Sequence, residues 1–330
     1  MTDNLLKACA ALLACFICIH PASALDLKRP EVRAFIEETS RDLGFAREQL
    51  ETLLAQAETK QAILDAISRP AERVVPWYEY RERFLTEKRI MQGTDFRLAH
   101  GEALQRIRDP NIAASVVGIL GVETSFGRIT GRYRVLDALA TLAFDYPPRS
   151  DFFRSELQQF LLLSREEAVD PQAALGSYAG AMGAPQFISS SYRSYAVDGD
   201  GNGKRDLWNS WDDVIASVAN YLVAYGWRDG EPVVVPALLA SDDLSRFDTS
   251  KLELNETVQS LRDKGVRFET TLPADARALL VVAQGKNGPV YRVGFNNFYV
   301  LTRYNRSPMY AMAVHDLGEA VTNFMRDASR

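Results

Sequence analysis

From about Pro30 to Trp227, apolar residues recur at spacings of three and four, with breaks at Pro70, Pro76, Pro110 and Pro147-Pro148. That period is helical, so this stretch predicts a succession of helices with few strands. The texture changes from Glu231. Pro232-Val233-Val234-Val235, Ala278-Leu279-Leu280-Val281-Val282, Val290-Tyr291-Arg292-Val293 and Phe298-Tyr299-Val300-Leu301 are β-branched or aromatic runs, bounded by turn residues such as Gly285-Lys286-Asn287-Gly288. They predict a small antiparallel sheet. Leu252 to Lys264 predicts a helix within that region, and Met309 to Met325 a helix that closes the chain. The expected fold class is α+β, mainly α. Its parts are an N-terminal helical region (25–75), a helical core (76–230), a small antiparallel β domain (231–296) and a return to the core (297–330).

Residues 1–24 interrupt this picture. Lys7, an apolar run from Ala8 to Ile19 and the small-residue site Ala22-Ser23-Ala24 form the three parts of a secretory signal, too short for a membrane span. The expectation is export to the periplasm with cleavage after Ala24. Leu12-Leu13-Ala14-Cys15 resembles a bacterial lipobox, but the apolar Phe16-Ile17-Cys18-Ile19 that follows suits a lipoprotein start poorly, so cleavage is preferred over lipidation at Cys15. All three cysteines, Cys9, Cys15 and Cys18, leave with the signal. The mature chain then has no disulfide to form and must rely on core packing or a metal.

Composition adds limits. With 330 residues, 47% hydrophobic and 25% charged, the chain can build one or two cores. A net charge of -5 offers no global attraction to nucleic acid or anionic lipid, so nucleic acid is not an expected partner.

Chemistry first shows after Asp109-Pro110, an N-cap followed by a proline suited to the first helical position. Ile112, Val116 and Ile119 then stack on one face, and Glu123 continues their stripe. A carboxyl pointing where core residues point is costly to ionise, so its pKa should rise and make it a candidate general acid. The competing reading is an interior ion pair with Arg128 or Arg132. Further on, the block Gly176-Ser177-Tyr178-Ala179-Gly180-Ala181-Met182-Gly183-Ala184-Pro185-Gln186-Phe187 allows close backbone approach and offers Ser177 and Gln186 as neutral hydrogen-bonding groups. It lacks the lysine of a phosphate loop.

Asp198-Gly199-Asp200-Gly201-Asn202-Gly203 fills positions 1, 3, 5 and 6 of an EF-hand loop, with the Lys204 carbonyl at position 7 and Asp206 at position 9. Position 12 is Asn209 instead of the bidentate glutamate. Asp212 or Asp213 could close a longer loop. An all-oxygen ligand set points to calcium.

These blocks together resemble the lytic murein transglycosylase B family. The resemblance rests on Gly121-Val122-Glu123-Thr124-Ser125-Phe126-Gly127, the Gly176 to Phe187 block, the Asp198 to Trp211 loop and Thr302-Arg303-Tyr304-Asn305, and it runs from about residue 30 to the end. It implies a lysozyme-like helical core and a periplasmic enzyme, a carbon–oxygen lyase, that cleaves peptidoglycan glycan strands between N-acetylmuramic acid and N-acetylglucosamine and leaves 1,6-anhydromuramic acid. It implies Glu123 as the sole catalytic acid/base, with Ser177, Gln186, Tyr221, Tyr304 and Asn305 lining the sugar cleft. Arg149 and Tyr80, within Tyr80-Arg81-Glu82-Arg83-Phe84, also match. For the ion loop it implies Asp198, Asp200, Asn202, Lys204 and Asp212 as calcium ligands, and no organic cofactor. Ala184-Pro185 departs from the aromatic-plus-glycine pair expected before Gln186, which puts the local cleft shape in question. A monomer is the default, and the cell-wall synthesis machinery is a candidate partner.

Two other readings compete. A water-using muramidase would need a second carboxylate near Glu123, for which Asp145 and Glu156 are the acids nearest in sequence. A calcium-stabilised wall-binding protein would use the aromatics without catalysis.

Overall fold

The computed structural model describes residues 23–69, 75–240 and 243–328. Residues 1–22, with the three cysteines, the Cys15 alternative and most of the export signal, lie outside the described residues, as does the break expected at Pro70.

The chain begins with a two-residue antiparallel pairing of β1 (Ser23–Ala24) and β2 (Glu58–Thr59) around α1 (Pro30–Leu43) and α2 (Arg47–Leu54), followed by α3 (Gln61–Ser68). Helix α1 has Pro30 in its first turn and ends at Gly44, whose φ of 67° makes the left-handed cap. Next come α4 (Trp77–Glu82), α5 (Glu87–Ala99), α6 (Gly101–Gln105) and α7 (Pro110–Thr124). The short pair β3 (Tyr133–Arg134) and β4 (Leu175–Gly176) brackets α8 (Val135–Asp145), a 3-10 turn at Pro147–Arg149 and α9 (Ser150–Glu166). Helices α10 (Ser189–Tyr195) and α11 (Trp211–Ala224) flank the acidic loop.

Helix α7 starts as its sequence predicts: the Asp109 carboxylate accepts from the Asn111 amide at 2.7 Å, and Pro110 needs no partner. Its surroundings differ from a one-sided stripe. Every residue from Ile112 to Gly121 is buried, so α7 is the central helix of the core and is covered on all sides. Helix α14 (Pro308–Ala328) lies directly against it, after α13 (Asn296–Tyr304). Their backbones touch at two glycines. A methyl group on Gly118 would collide with the Val314 carbonyl, and one on Gly318 with the Ala114 carbonyl.

The C-terminal third carries β5 (Val234–Leu239), β6 (Glu256–Thr257), α12 (Val258–Asp263), β7 (Val266–Arg267), β8 (Arg277–Gly285) and β9 (Gly288–Gly294), forming one antiparallel sheet in the order β6-β8-β9-β5-β7. The Gly285-Lys286-Asn287-Gly288 turn joins β8 to β9, with Gly285 opposite Gly288. Both faces of β8 are covered. Leu279 and Val281 join the main core, while Ala278 and Leu280 face a second core with Val258, Leu261, Val293 and Phe295.

Two expected elements came out differently. Phe298 to Leu301 is part of α13, because a short apolar run buried on several sides reads the same as helix or strand. The Leu252–Lys264 helix is confined to α12, since the Thr257 and Ser260 side chains form a reciprocal capping box that fixes its start at Thr257. Asp109 and Asn297 tie the two parts of the molecule together. Asp109 accepts from the Trp227 indole (2.9 Å) and the Gly230 amide (3.1 Å), while the Asn297 amide bonds Arg228 and Glu231.

Candidate active site

Glu123 sits in the last turn of α7, immediately before a backbone held in an uncommon conformation. Ser125, Phe126 and Gly127 have φ values of 52°, 59° and 76°, a left-handed run that costs energy for the two non-glycine residues. Several contacts hold it in place. The Phe126 amide bonds the Leu120 carbonyl at 2.9 Å, the Thr124 hydroxyl accepts from the Gly127 amide at 3.0 Å, and the same hydroxyl donates to the Ala184 carbonyl at 2.9 Å. Gly127 is required for space as well, since a Cβ there would lie 2.8 Å from the Trp211 ring. Arg89 donates to the Gly121 carbonyl and Arg128 to the Ser125 carbonyl, so two guanidiniums cap the negative end of the helix.

This disposes of the ion-pair reading of Glu123. Arg128 is engaged with the backbone, Arg132 lies over the Tyr133 ring at 5.8 Å, and among the described residues no cation pairs with Glu123. The residue keeps an open side, yet protein crowds its carboxyl closely enough that burial raises its pKa to about 7. A hydrogen bond donated by the Tyr310 hydroxyl to Oε1, 2.7 Å long, pulls in the opposite direction and is the weaker influence.

Tyr310 was not anticipated from the sequence. It lies in the first turn of α14, buried, and its hydroxyl is close enough to feel Tyr304 and Tyr80 as well as Glu123. Tyr304 packs almost parallel to it, with ring centroids 6.4 Å apart, and donates its hydroxyl to the Pro185 carbonyl at 2.5 Å. Tyr221 stands against Tyr304 at 4.8 Å and donates to the Arg303 carbonyl at 2.8 Å. Phe187 touches both rings. The departure at Ala184-Pro185 is therefore accommodated: that segment contributes two carbonyls, which any residue carries.

Ser177 accepts from the Ala179 and Ala181 amides at 3.2 and 3.0 Å, which leaves its own proton to donate outward. Gln186, at φ 54°, commits its amide nitrogen to the Thr130 and Gly183 carbonyls and has its amide oxygen left over. Asn305 caps α13 and is exposed, and its side chain bonds no other described residue. Tyr80 is buried between Trp77 and Phe84. Arg149 stacks on Phe152 and Phe153 at 4.4 and 5.1 Å, and among the described residues no hydrogen bond, ion pair or ring contact joins it to this cluster. Asp145 and Glu156 are engaged elsewhere, the first with Arg29 at 2.6 Å and the second with the Ser190 amide at 3.0 Å.

In the acidic loop the carboxylates of Asp198, Asp200 and Asp213 gather with ligand oxygens within 4.8 Å of one another. Asp213 replaces Asp212 as the closing acid. The two are adjacent on α11 and so point about 100° apart; Asp212 turns outward to Arg106, while buried Asp213 accepts from the Gly199 and Asp206 amides, both at 2.7 Å. Asp198 is held by the amides of Gly201, Asn202 and Gly203. Asn202 caps the Lys204 amide, and Lys204 is exposed with its carbonyl at the loop's seventh position.

A profile of the transglycosylase SLT domain family matches residues 28–319. Membrane-bound lytic murein transglycosylase B of Escherichia coli K12 is 39% identical over 306 residues, covering 88% of this chain and 82% of that protein. Soluble lytic transglycosylase SltB1 of Pseudomonas aeruginosa is 49% identical with a TM-score of 0.86, over 90% of this chain and 99% of that one. The E. coli lytic transglycosylase Slt35 in complex with calcium is 37% identical with a TM-score of 0.79, over 91% and 96%. The match spans the glutamate, the tyrosine cluster and the acidic loop alike, and the chain belongs to the transglycosylase SLT domain family.

Proposed function

We propose that this peptidoglycan lytic transglycosylase cleaves the β-1,4 bond between N-acetylmuramic acid and N-acetylglucosamine with Glu123 as its only acid/base. The observation that carries the reading is a carboxyl with a pKa near 7, one hydroxyl donor and no charged partner among the described residues. Tyr310 occupies Oε1, so the proton sits on Oε2, free to face a glycosidic oxygen.

The proton passes to that oxygen as the bond to the muramyl C1 breaks, and N-acetylglucosamine leaves with the new hydroxyl. The N-acetyl carbonyl of the muramyl sugar stabilises C1. The Glu123 carboxylate then takes the C6 hydroxyl proton while O6 closes onto C1 and displaces the acetyl oxygen. The acid is regenerated, no water is consumed and the product is 1,6-anhydromuramic acid. One group serving both steps needs a pKa between them, which burial supplies. Ser177 and Asn305 hold the N-acetyl group, Gln186 accepts from a sugar hydroxyl, and Tyr304 offers its ring to the sugars, backed by buried Tyr221 and Tyr80, with Arg149 further out.

A water-using muramidase is disfavoured because Asp145 and Glu156 are tied up elsewhere. Digestion of purified sacculi followed by mass spectrometry tests the choice. Anhydro ends support the transglycosylase, reducing ends the hydrolase, and Glu123→Gln is the control.

The acidic loop fits a calcium ion through Asp198, Asp200, Asp213, the Asn202 side chain and the Lys204 carbonyl. Support comes from buried Asp213, which has amide donors but no Lys or Arg partner among the described residues, and from three converging carboxylates that repel one another without a cation. The ion's contribution would be to hold the loop together. Export through the signal of residues 1–24 places the enzyme in the periplasm, beside its substrate; among the described residues no helix is long and apolar enough to cross a membrane.

A further inference from the structure

A groove of about 720 Å³ opens at the end of α7 opposite Glu123, between α5, α6 and α14. Its lining is mixed, with apolar Leu98, Leu104, Ile107, Ala114 and Met325 beside polar Gln105, Asn111 and Thr322, and its rim carries Arg97, Arg108 and Arg326 against one carboxylate, Glu319. None of the three arginines has an ion-pair partner among the described residues. Arg97 is the telling one. It is half-buried, its hydrogen-bond partner is the Thr322 hydroxyl at 2.8 Å, and burial lowers its pKa with no carboxylate near enough to oppose the effect. A guanidinium withdrawn from water without an anion is costly, and this chain, acidic overall at -5, had carboxylates to spare.

The rim also exposes apolar surface. Leu98 is 68% exposed, and Met91, seven residues earlier on the same face of α5, is 52% exposed. Unpaired arginines beside exposed apolar side chains match an anionic head on an apolar body.

We propose that this groove receives the headgroup phosphate of an anionic phospholipid at a membrane surface, with Arg97, Arg108 and Arg326 as its donors. The fork of a guanidinium pairs with two phosphate oxygens, and Leu98 and Met91 rest in the interfacial layer. Pro110 and Asn111 line the groove, and Glu123 lies twelve residues along the same helix, about 18 Å away at 1.5 Å per residue. Docking at one end of α7 would therefore aim the catalytic end away from the bilayer.

The test is co-sedimentation of the full chain with phosphatidylcholine vesicles, with and without phosphatidylglycerol. Each variant is compared with the parent, so that residues 1–24 contribute equally. The exposed pair Arg108→Gln/Arg326→Gln is expected to weaken binding to the anionic vesicles by about tenfold or more. A charge-matched pair on the N-terminal helices, Arg41→Gln/Arg47→Gln, is expected to leave it unchanged. Leu98→Ser, which alters no charge, is expected to weaken it too. Equal losses from the two arginine pairs, no preference for phosphatidylglycerol, or full displacement by millimolar inorganic phosphate at constant ionic strength would each overturn the proposal. The readout is binding, so it stands or falls separately from the bond-cleaving chemistry.

Discussion

The hydroxyl of Tyr310 donates to Oε1 of Glu123 at 2.7 Å across 187 residues of sequence. This bond favours the carboxylate, whereas burial favours the acid, and burial wins. Removing the hydroxyl should therefore raise the glutamate's pKa further. Tyr310→Phe is expected to shift the alkaline limb of kcat/KM, itself expected near pH 7 in the parent, to higher pH. Activity at the optimum should fall about tenfold, because the carboxyl is less well held. A pH–rate profile on soluble glycan strands measures both effects.

Glu123→Gln removes the proposed proton donor and is expected to cut turnover by about a thousandfold or more. The same change should stabilise the fold in a particular pH window. The folded pKa of about 7 lies above the ordinary 4.5, so the folded state holds this proton more tightly. Its stability falls as pH rises from 4.5 through 7 and levels off above. The glutamine variant escapes that loss, so its Tm advantage should grow across this window towards an equivalent of ~3 kcal/mol. Calorimetry at pH 4.5, 6 and 8 decides, and a constant difference would count against the raised pKa.

Chelation should lower Tm. An ion present at a hundred times its Kd contributes about 2.7 kcal/mol. The sharper measurement compares neighbours: Asp213→Asn is expected to abolish most of the calcium-dependent shift, and Asp212→Asn to leave it nearly intact.

Gly118→Ala adds a methyl group where the Val314 carbonyl already stands. Overpacking of this kind costs about 1–3 kcal/mol. Denaturant unfolding should show that loss, and turnover should fall with it, since Val314 lies one turn from Tyr310 on α14. Gly44→Ala, at a left-handed cap with open space around it, is expected to cost less.

Much of this site could be read along the chain because local rules govern it. The Asp109-Pro110 start of α7, the hairpin turn at Lys286-Asn287 and the alternating acids of the loop follow from capping, turn chemistry and ligand spacing. What escaped depended on distance or on a single step of rotation. Tyr310 reaches Glu123 through the packing of two glycine-faced helices, and nothing near Tyr310 in sequence announces it. Asp212 and Asp213 differ by one residue, and the Ser210 cap of α11, bonded by the Asp213 amide, settles which of them turns inward. Phe298 to Leu301 suits either secondary structure until its neighbours are known.

The close approach of α7 and α14 at Gly118 and Gly318 also makes the site a product of long-range docking. It sets Glu123 against a tyrosine 187 positions away along the chain. A nascent chain, or one truncated before Tyr304, carries the glutamate but lacks Tyr304, Asn305, Tyr310 and the helix that buries α7. Its carboxyl would face water and titrate like any surface acid. A carboxyl with a pKa near 7 thus exists only once α7 and α14 have docked, and loosening their contact would return Glu123 to an ordinary surface acid.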